Sequence, residues 1–239
     1  MIAAGCGPEL DLGSDLLWFA RHEGGNLAEW TGGNKGGSSA DAPDTSIEVS
    51  TDYAHSGRYS VKLSNAAVSS YEEVSVWRLD QYPQAAFYSA WYYLPRAYQT
   101  AADWTIMQLR APAATDPTSI DELMDVDLRS LPGGDLILSV YDHRQQYLRA
   151  PTPDPAVPVP IGAWFQVQTL FDYSSGPDGR FAVWLDDQLI YDLPRPYDLT
   201  GTVYFSACSI SMALSPADSV IYVDDAAISR VPVGADLTP

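Results

Sequence analysis

The run AAFYSAWYYLPRAYQTAADWTIMQLR, Ala85–Arg110, decides the fold. It reads as two strands, Ala85–Leu94 and Trp104–Arg110, joined by an aromatic-rich connection. In the second strand Thr105, Met107 and Leu109 alternate with Trp104, Ile106, Gln108 and Arg110. Alternation of this kind puts the two sets on opposite faces of a sheet. The Met/Leu face suits a core. The other face sets an indole beside an amide and a guanidinium, a combination that suits sugar rings: aromatic planes take their C–H faces, while amides and Arg take hydroxyls or carboxylates. Trp104, Gln108 and Arg110 are therefore predicted to line a groove; the alternative is a solvated outer face.

The same alternation recurs along the chain. Strands are predicted over Leu16–His22, Ile47–Asp52, Arg58–Asn65, Tyr71–Asp80, Leu123–Leu131, Leu136–His143, Gln145–Ala150, Trp164–Tyr173, Arg180–Leu193, Thr202–Met212 and Val220–Arg230. Turn signals separate them: His55-Ser56-Gly57, the hairpin signal Pro132-Gly133-Gly134-Asp135, and Asp186-Asp187. Residues 24–44, apart from Trp30, and 113–121 read as loops, and the proline-dense 151–160 as an ordered surface connection. No long helical pattern and no fixed repeat occur. Short strands punctuated by 18 Pro and 17 Gly indicate an all-β protein, a sandwich or barrel.

Charge limits the partners. The 239 residues carry 13 Lys+Arg against 31 Asp+Glu, a formal net charge of −18. Such a chain repels nucleic acid and anionic membranes. A local Arg cluster acts only within about 8 Å, the screening distance at physiological salt. No run of about 18 apolar residues suggests a membrane span. Ala3-Ala4-Gly5-Cys6 resembles the end of a bacterial lipoprotein signal. On that reading residues 1–14 are the remnant of a leader plus tether, 15–232 the sandwich and 233–239 a tail. Cys6 would then be the sole, lipid-mediated link to a membrane, with the protein a monomer at the bacterial cell surface or in the periplasm, anchored or secreted. Cys208, in an alternating run, reads as a small buried hydrophobe.

Several segments carry a family resemblance. Glu23 with Trp30, Ala54-His55-Ser56-Gly57-Arg58-Tyr59-Ser60 and the terminal Ile221-Tyr222-Val223-Asp224-Asp225-Ala226-Ala227-Ile228 resemble carbohydrate-binding jelly-roll modules. Trp164 with Val167, and Asp178-Gly179-Arg180-Phe181-Ala182-Val183-Trp184-Leu185-Asp186-Asp187, resemble concanavalin A-like polysaccharide lyases of the heparinase and glucuronan-lyase type. Met107-Gln108-Leu109-Arg110 sits where those lyases carry a Gln strand. Where alginate lyases of this fold show Gln-Ile-His, this chain has Gln108-Leu109-Arg110; where they show Tyr-Phe-Lys, it has Tyr204-Phe205-Ser206. The resemblance implies a concanavalin A-like jelly-roll β-sandwich of two antiparallel sheets and a polysaccharide ligand. It also implies a calcium ion at Glu23 and Asp225, a structural ion by its place.

Lyase elimination needs a group that neutralises the uronate carboxylate, a base for the adjacent C–H proton and an acid for the leaving oxygen. Gln108 and Arg110 are the candidates for the first, His143 for the base, and Tyr141 or Tyr204 for the acid. Leu136, Leu138 and Val140 take the core face of their strand, which sends Tyr141 and His143 outward. Arg144 and Arg149 follow closely as substrate-binding candidates. Asp125 and Asp127 share a strand face and have the spacing for a hydrolase pair. His22 and His55 have weaker claims, and no His/Cys spacing suggests zinc. Three functions follow: a surface-tethered polysaccharide-recognising sandwich, a divergent polysaccharide lyase, or a structural and adhesive surface protein.

Overall fold

The computed structural model describes residues 13–65, 71–112, 119–144, 148–197, 199, 201–211 and 214–234. The expectations for Cys6, residues 113–118, 145–147, Met212 and the tail beyond 234 lie outside them. Among the described residues the strands are β1 (Leu16–Ala20), β2 (Gly36–Ala40), β3 (Thr45–Ser50), β4 (Ser60–Asn65), β5 (Glu72–Gln81), β6 (Ala85–Tyr93), β7 (Gln99–Thr100), β8 (Trp104–Pro112), β9 (Ile120–Ser130), β10 (Leu136–Asp142), β11 (Leu148–Arg149), β12 (Trp164–Asp172), β13 (Arg180–Leu185), β14 (Gln188–Pro194), β15 (Thr202–Ser211), β16 (Leu214–Ser215) and β17 (Ser219–Ser229). One sheet runs β14-β13-β12-β6-β17-β4-β3, with β1 also on β17; the second runs β11-β10-β9-β8-β15-β5-β2. Every pairing within them is antiparallel. The two sheets pack as the jelly-roll sandwich that the alternation and the resemblance predict. No helix among the described residues is long and apolar enough to cross a membrane.

The two strands of the deciding run lie in different sheets, β6 in the first and β8 in the second. Their inward side chains meet: Tyr92 donates its hydroxyl to the Ile106 carbonyl at 3.1 Å. Around that contact Tyr88, Phe165, Phe171, Phe181 and Phe205 fill the inter-sheet core. Burial of this apolar surface is the main force holding the sheets together, at roughly 25 cal/mol per Å².

Two β-bulges set which side chains face outward from the second sheet. Against β9, Thr105 pairs with Asp127 and Met107 with Val126, so Ile106 is the extra residue. Leu109 then pairs with Met124 and Arg110 with Glu122, so Leu123 is extra in β9. Each bulge reverses the in–out parity beyond it. Gln108 and Arg110 face outward as predicted, whereas Trp104, before the first bulge, faces the core. It is fully buried, donates Nε1–H to Ser209 Oγ at 2.9 Å and packs edge-on against Tyr98 at 5.0 Å. Trp104 therefore lies outside the groove, contrary to the plain alternation.

Smaller differences have local causes. Residues 36–40, read as loop, form edge strand β2 on β5; their GGSSA sequence has no apolar alternation. Trp30, set apart from the surrounding loop in the sequence, is buried from a one-turn helix, Ala28–Thr31, where its Nε1 donates to His22 Nε2 at 2.9 Å. The proline-dense stretch runs beside β10, where Val159 N–H bonds the Leu136 carbonyl at 2.8 Å. Asp186 and Asp187 take positive φ, 47° and 65°, as the two-residue turn between β13 and β14.

Candidate active site

The outward face of the second sheet carries a polar layer across its strands. Register aligns Trp77 of β5, Ser206 of β15, Gln108 of β8, Asp125 of β9 and Tyr141 of β10 in one row. Beside it lie Tyr204, Arg110 and Glu122. The Leu123 bulge is what puts Glu122 on this face; an unbroken strand would give it the core parity of Met124 and Val126.

Asp125 is the hub. It is buried, accepts Gln108 Nε2 at 2.9 Å on one oxygen and meets His143 Nε2 at 2.7 Å on the other. The other ring nitrogen of His143 lies 3.2 Å from Glu122. Burial alone would pull the imidazole below its usual 6.5, but Asp125, Glu122 and Asp142 outweigh it and hold His143 above that value. It thus sits as a proton holder between two carboxylates. Tyr141 packs edge-on to it at 4.8 Å. Gln108, only 3% exposed and bonded to Asp125, orients that carboxylate instead of presenting its amide to the groove.

Asp127 is also buried, accepts Thr105 Oγ1 at 2.8 Å and is pushed well above the carboxylate range, first by burial and then by Asp125. Asp125 and Asp127 are thus both engaged by neighbouring side chains of the sheet.

The arginines differ in their freedom. Arg144 is exposed and pairs with Asp121 at 2.9 Å. Arg149 is tied to Asp103 and to Ser139, 2.9 Å away, with its guanidinium over the Tyr141 ring at 5.5 Å. Arg110 donates to Ser206 Oγ at 3.0 Å, and its buried Nε has no hydrogen-bond partner. Among the described residues no carboxylate lies within ion-pair distance of it. Arg110 lines a pocket of about 290 Å³ with Trp77, Tyr204, Glu73 and Ile120. Ile120 is shared with a second pocket of about 360 Å³ lined by Glu122, His143 and Arg144. The two pockets adjoin at Ile120, the first holding Arg110 and Tyr204 and the second His143.

The sequence reading missed Trp77 and Glu122. Trp77 is half-buried and takes the aromatic place intended for Trp104; its parity was readable, since Val74 and Val76 face the core. Its ring needs Gly37, where a Cβ would lie 2.4 Å from it. Cys208 is buried beneath this face, and burial pushes its thiol well up, as befits an inert residue.

Glu23 and Asp225 lie apart from this groove, on the loop after β1 and on β17 of the first sheet. They meet at residues 55–59. Glu23 Oε1 accepts the backbone N–H groups of Arg58 and Tyr59 at 2.9 and 3.0 Å. Asp225 takes Ser56 Oγ at 2.9 Å and His55 Nδ1 at 2.8 Å, and Asp224 takes the His55 N–H at 2.9 Å. Carboxylate oxygens suit calcium, but here N–H and O–H donors satisfy these ones, and among the described residues no group of three or more His, Cys, Asp or Glu side chains is placed to hold a metal ion.

Comparison with known proteins places this architecture. No curated protein matches the sequence. Among solved structures, the endo-β-1,4-glucuronan lyase of the fungus Trichoderma reesei superposes with a TM-score of 0.68 at 12% identity, covering 92% of this chain and 98% of that one. The cellulose-induced protein Cip1 gives 0.64 at 17%, covering 90% and 98%. The alginate lyase vAL-1 from Chlorella virus gives 0.56 at 12%, covering 91% and 100%. At these identities the likeness is one of fold. The polysaccharide lyase family model matches residues 22–205, a span that holds Trp77, Arg110, His143 and Tyr204, and the chain belongs to the polysaccharide lyase family.

Proposed function

We propose that this protein is a lyase cleaving a uronate-containing polysaccharide by β-elimination. The observation that carries the reading is Arg110: a guanidinium with no carboxylate partner among the described residues, its Nε buried and unbonded, in a groove with Tyr204 and Trp77. A uronate carboxylate satisfies that group bidentately and loses charge in doing so, which acidifies the neighbouring C5–H. Tyr204, opposite Arg110 in the register, takes the C5 proton on its phenolate oxygen, its own hydroxyl proton having first passed to solvent. The electron pair forms the C4–C5 double bond, the C4–O4 bond breaks, and His143 gives its proton to the leaving oxygen. This reverses the role expected of His143 from sequence. Asp125 and Glu122 favour its charged form, Gln108 positions Asp125, and Trp77 offers a stacking plane. The glucuronan and alginate lyases of like fold support a uronate polymer as substrate. Incubation with β-1,4-glucuronan or alginate is expected to raise ultraviolet absorbance in step with new reducing ends. Reducing ends without absorbance would mean hydrolysis and would overturn the reading.

The carboxylates around His143 give a pH signature. A folded-state pKa above the unfolded value stabilises below 6.5 and loses that contribution as pH rises through the raised value. The melting temperature of wild type minus that of His143→Gln is expected to be greatest near about pH 5–6 and to shrink at alkaline pH. A pH-independent difference would contradict the ion pairs.

Calcium at Glu23 and Asp225 is a separate proposal. The two carboxylates would hold the ion, whose work is to fix the 55–59 loop; the reaction does not run through it. EDTA is expected to lower the melting temperature by roughly 5–10 °C if the ion is near 100-fold above its Kd. An unchanged melting temperature, with no metal by elemental analysis, would leave the loop to its hydrogen bonds. A lipid anchor at Cys6 belongs to the same reading of a surface enzyme, and incorporation of labelled palmitate in cells tests it.

A further inference from the structure

We propose a second glycan site, for a neutral polysaccharide, on the outer face of the first sheet, opposite the Arg110 groove. Register places Lys62 of β4, Tyr222 of β17, Tyr93 of β6 and Trp164 of β12 in one row across four strands. The row is continuous. Tyr93 lies 6.2 Å from Tyr222 and 5.4 Å from Trp164. Tyr53, from the loop after β3, stacks on Tyr93 at 4.3 Å and meets Tyr222 edge-on at 5.0 Å. Tyr53 is 40% exposed, and Tyr93 and Trp164 are half-buried. These rings are not needed to fill the inter-sheet core, because Tyr88, Ala90 and Tyr92 of β6 already point there.

Tyr53, Tyr222 and Lys62 also wall an open pocket of about 550 Å³, completed by Asp52, Arg96 and Asp218. Its charges cancel in pairs: Lys62 lies 3.6 Å from Asp52, and Arg96 lies 2.7 Å from Asp218. That balance selects the occupant. A polyuronate would find no uncompensated cation here, on a chain of net charge −18. A neutral sugar chain finds aromatic planes for its C–H faces and donors and acceptors for its hydroxyls, the usual make-up of a carbohydrate site. The groove on the second sheet has the reverse character, with Arg110 unpaired. The two faces are thus fitted to different polymers, and a chain held on one leaves the other free.

The test is calorimetric titration of the whole protein with cellohexaose, xylohexaose and mannohexaose. At least one is expected to bind, with affinity falling about tenfold or more in Tyr53→Ala and Trp164→Ala, as for an aromatic anchor. Arg110→Ala should bind it as wild type does. Turnover of a soluble uronate oligosaccharide should be unchanged in Tyr53→Ala, so failure here is distinct from failure of the lyase reading. Tyr53→Phe, which keeps the ring, should retain affinity and guards against a folding artefact. Absence of binding by all three glycans would overturn the proposal. So would binding lost in Arg110→Ala but kept in Tyr53→Ala, or a Tyr53-dependent dimer in sedimentation, which would make the row an interface between copies.

Discussion

Arg110→Ala is expected to lower kcat/KM on a uronate polysaccharide by about 10²–10³-fold, the range for removing one preorganised partner of a developing charge. The loss should appear in kcat as well as KM. Arg110 meets the carboxylate in the ground state, but negative charge grows on it as the C5 proton leaves. Tyr204→Phe removes the proton acceptor and keeps the ring, so it should cost about 10²–10⁴-fold, mostly in kcat. Neither variant should alter folding much. Arg110 is bound to the sheet through Ser206 Oγ alone among the described contacts, and Tyr204 lies on the outward face. Steady-state kinetics with melting curves on the same samples check both. A fall in activity matched by a fall in melting temperature would mean that the residues hold the sheet and not the substrate.

Trp104→Ala should do the opposite. Trp104 is fully buried between the sheets and hydrogen-bonded to Ser209. Truncation leaves a large cavity and an unpaired buried hydroxyl, a loss of about 3–5 kcal/mol. For a chain of this length that lowers the melting temperature by roughly 6–20 °C. The folded fraction should keep wild-type kcat/KM, since the side chain does not reach the groove. Denaturant unfolding with kinetics at low temperature separates the two effects. A stable Trp104→Ala variant that binds glycan poorly would return the indole to the groove.

Trp104 also shows where a sequence stops being readable. Alternation places side chains correctly while a strand runs unbroken. It put Gln108 and Arg110 on the same outward face as Tyr141 and His143, although these residues lie on strands separated by β9. It cannot register a bulge, because the extra residues Ile106 and Leu123 are as apolar as the core-facing residues that follow them, Met107 and Met124. So Trp104 went to the wrong face, and Glu122, one of the two carboxylates that charge His143, was not foreseen. Edge strand β2 escaped for another reason. Its GGSSA sequence carries no pattern, and Gly37 is there to admit the Trp77 ring. The strands of the inner core were legible because Val, Ile, Phe and Tyr alternate through them. The hydrogen-bond commitments of Gln108, Asp125 and Asp127 were not, since they depend on cross-strand register that no single strand encodes.

The central claim is that Arg110 reads the uronate carboxylate, and one measurement addresses it directly. Cleavage rates are compared on β-1,4-glucuronan oligosaccharides with free and methyl-esterified carboxyl groups, in wild type and in Arg110→Ala. Wild type is predicted to favour the free acid by at least about tenfold, and Arg110→Ala to lose that preference. Equal rates on acid and ester in wild type, or a preference that survives in Arg110→Ala, would contradict it.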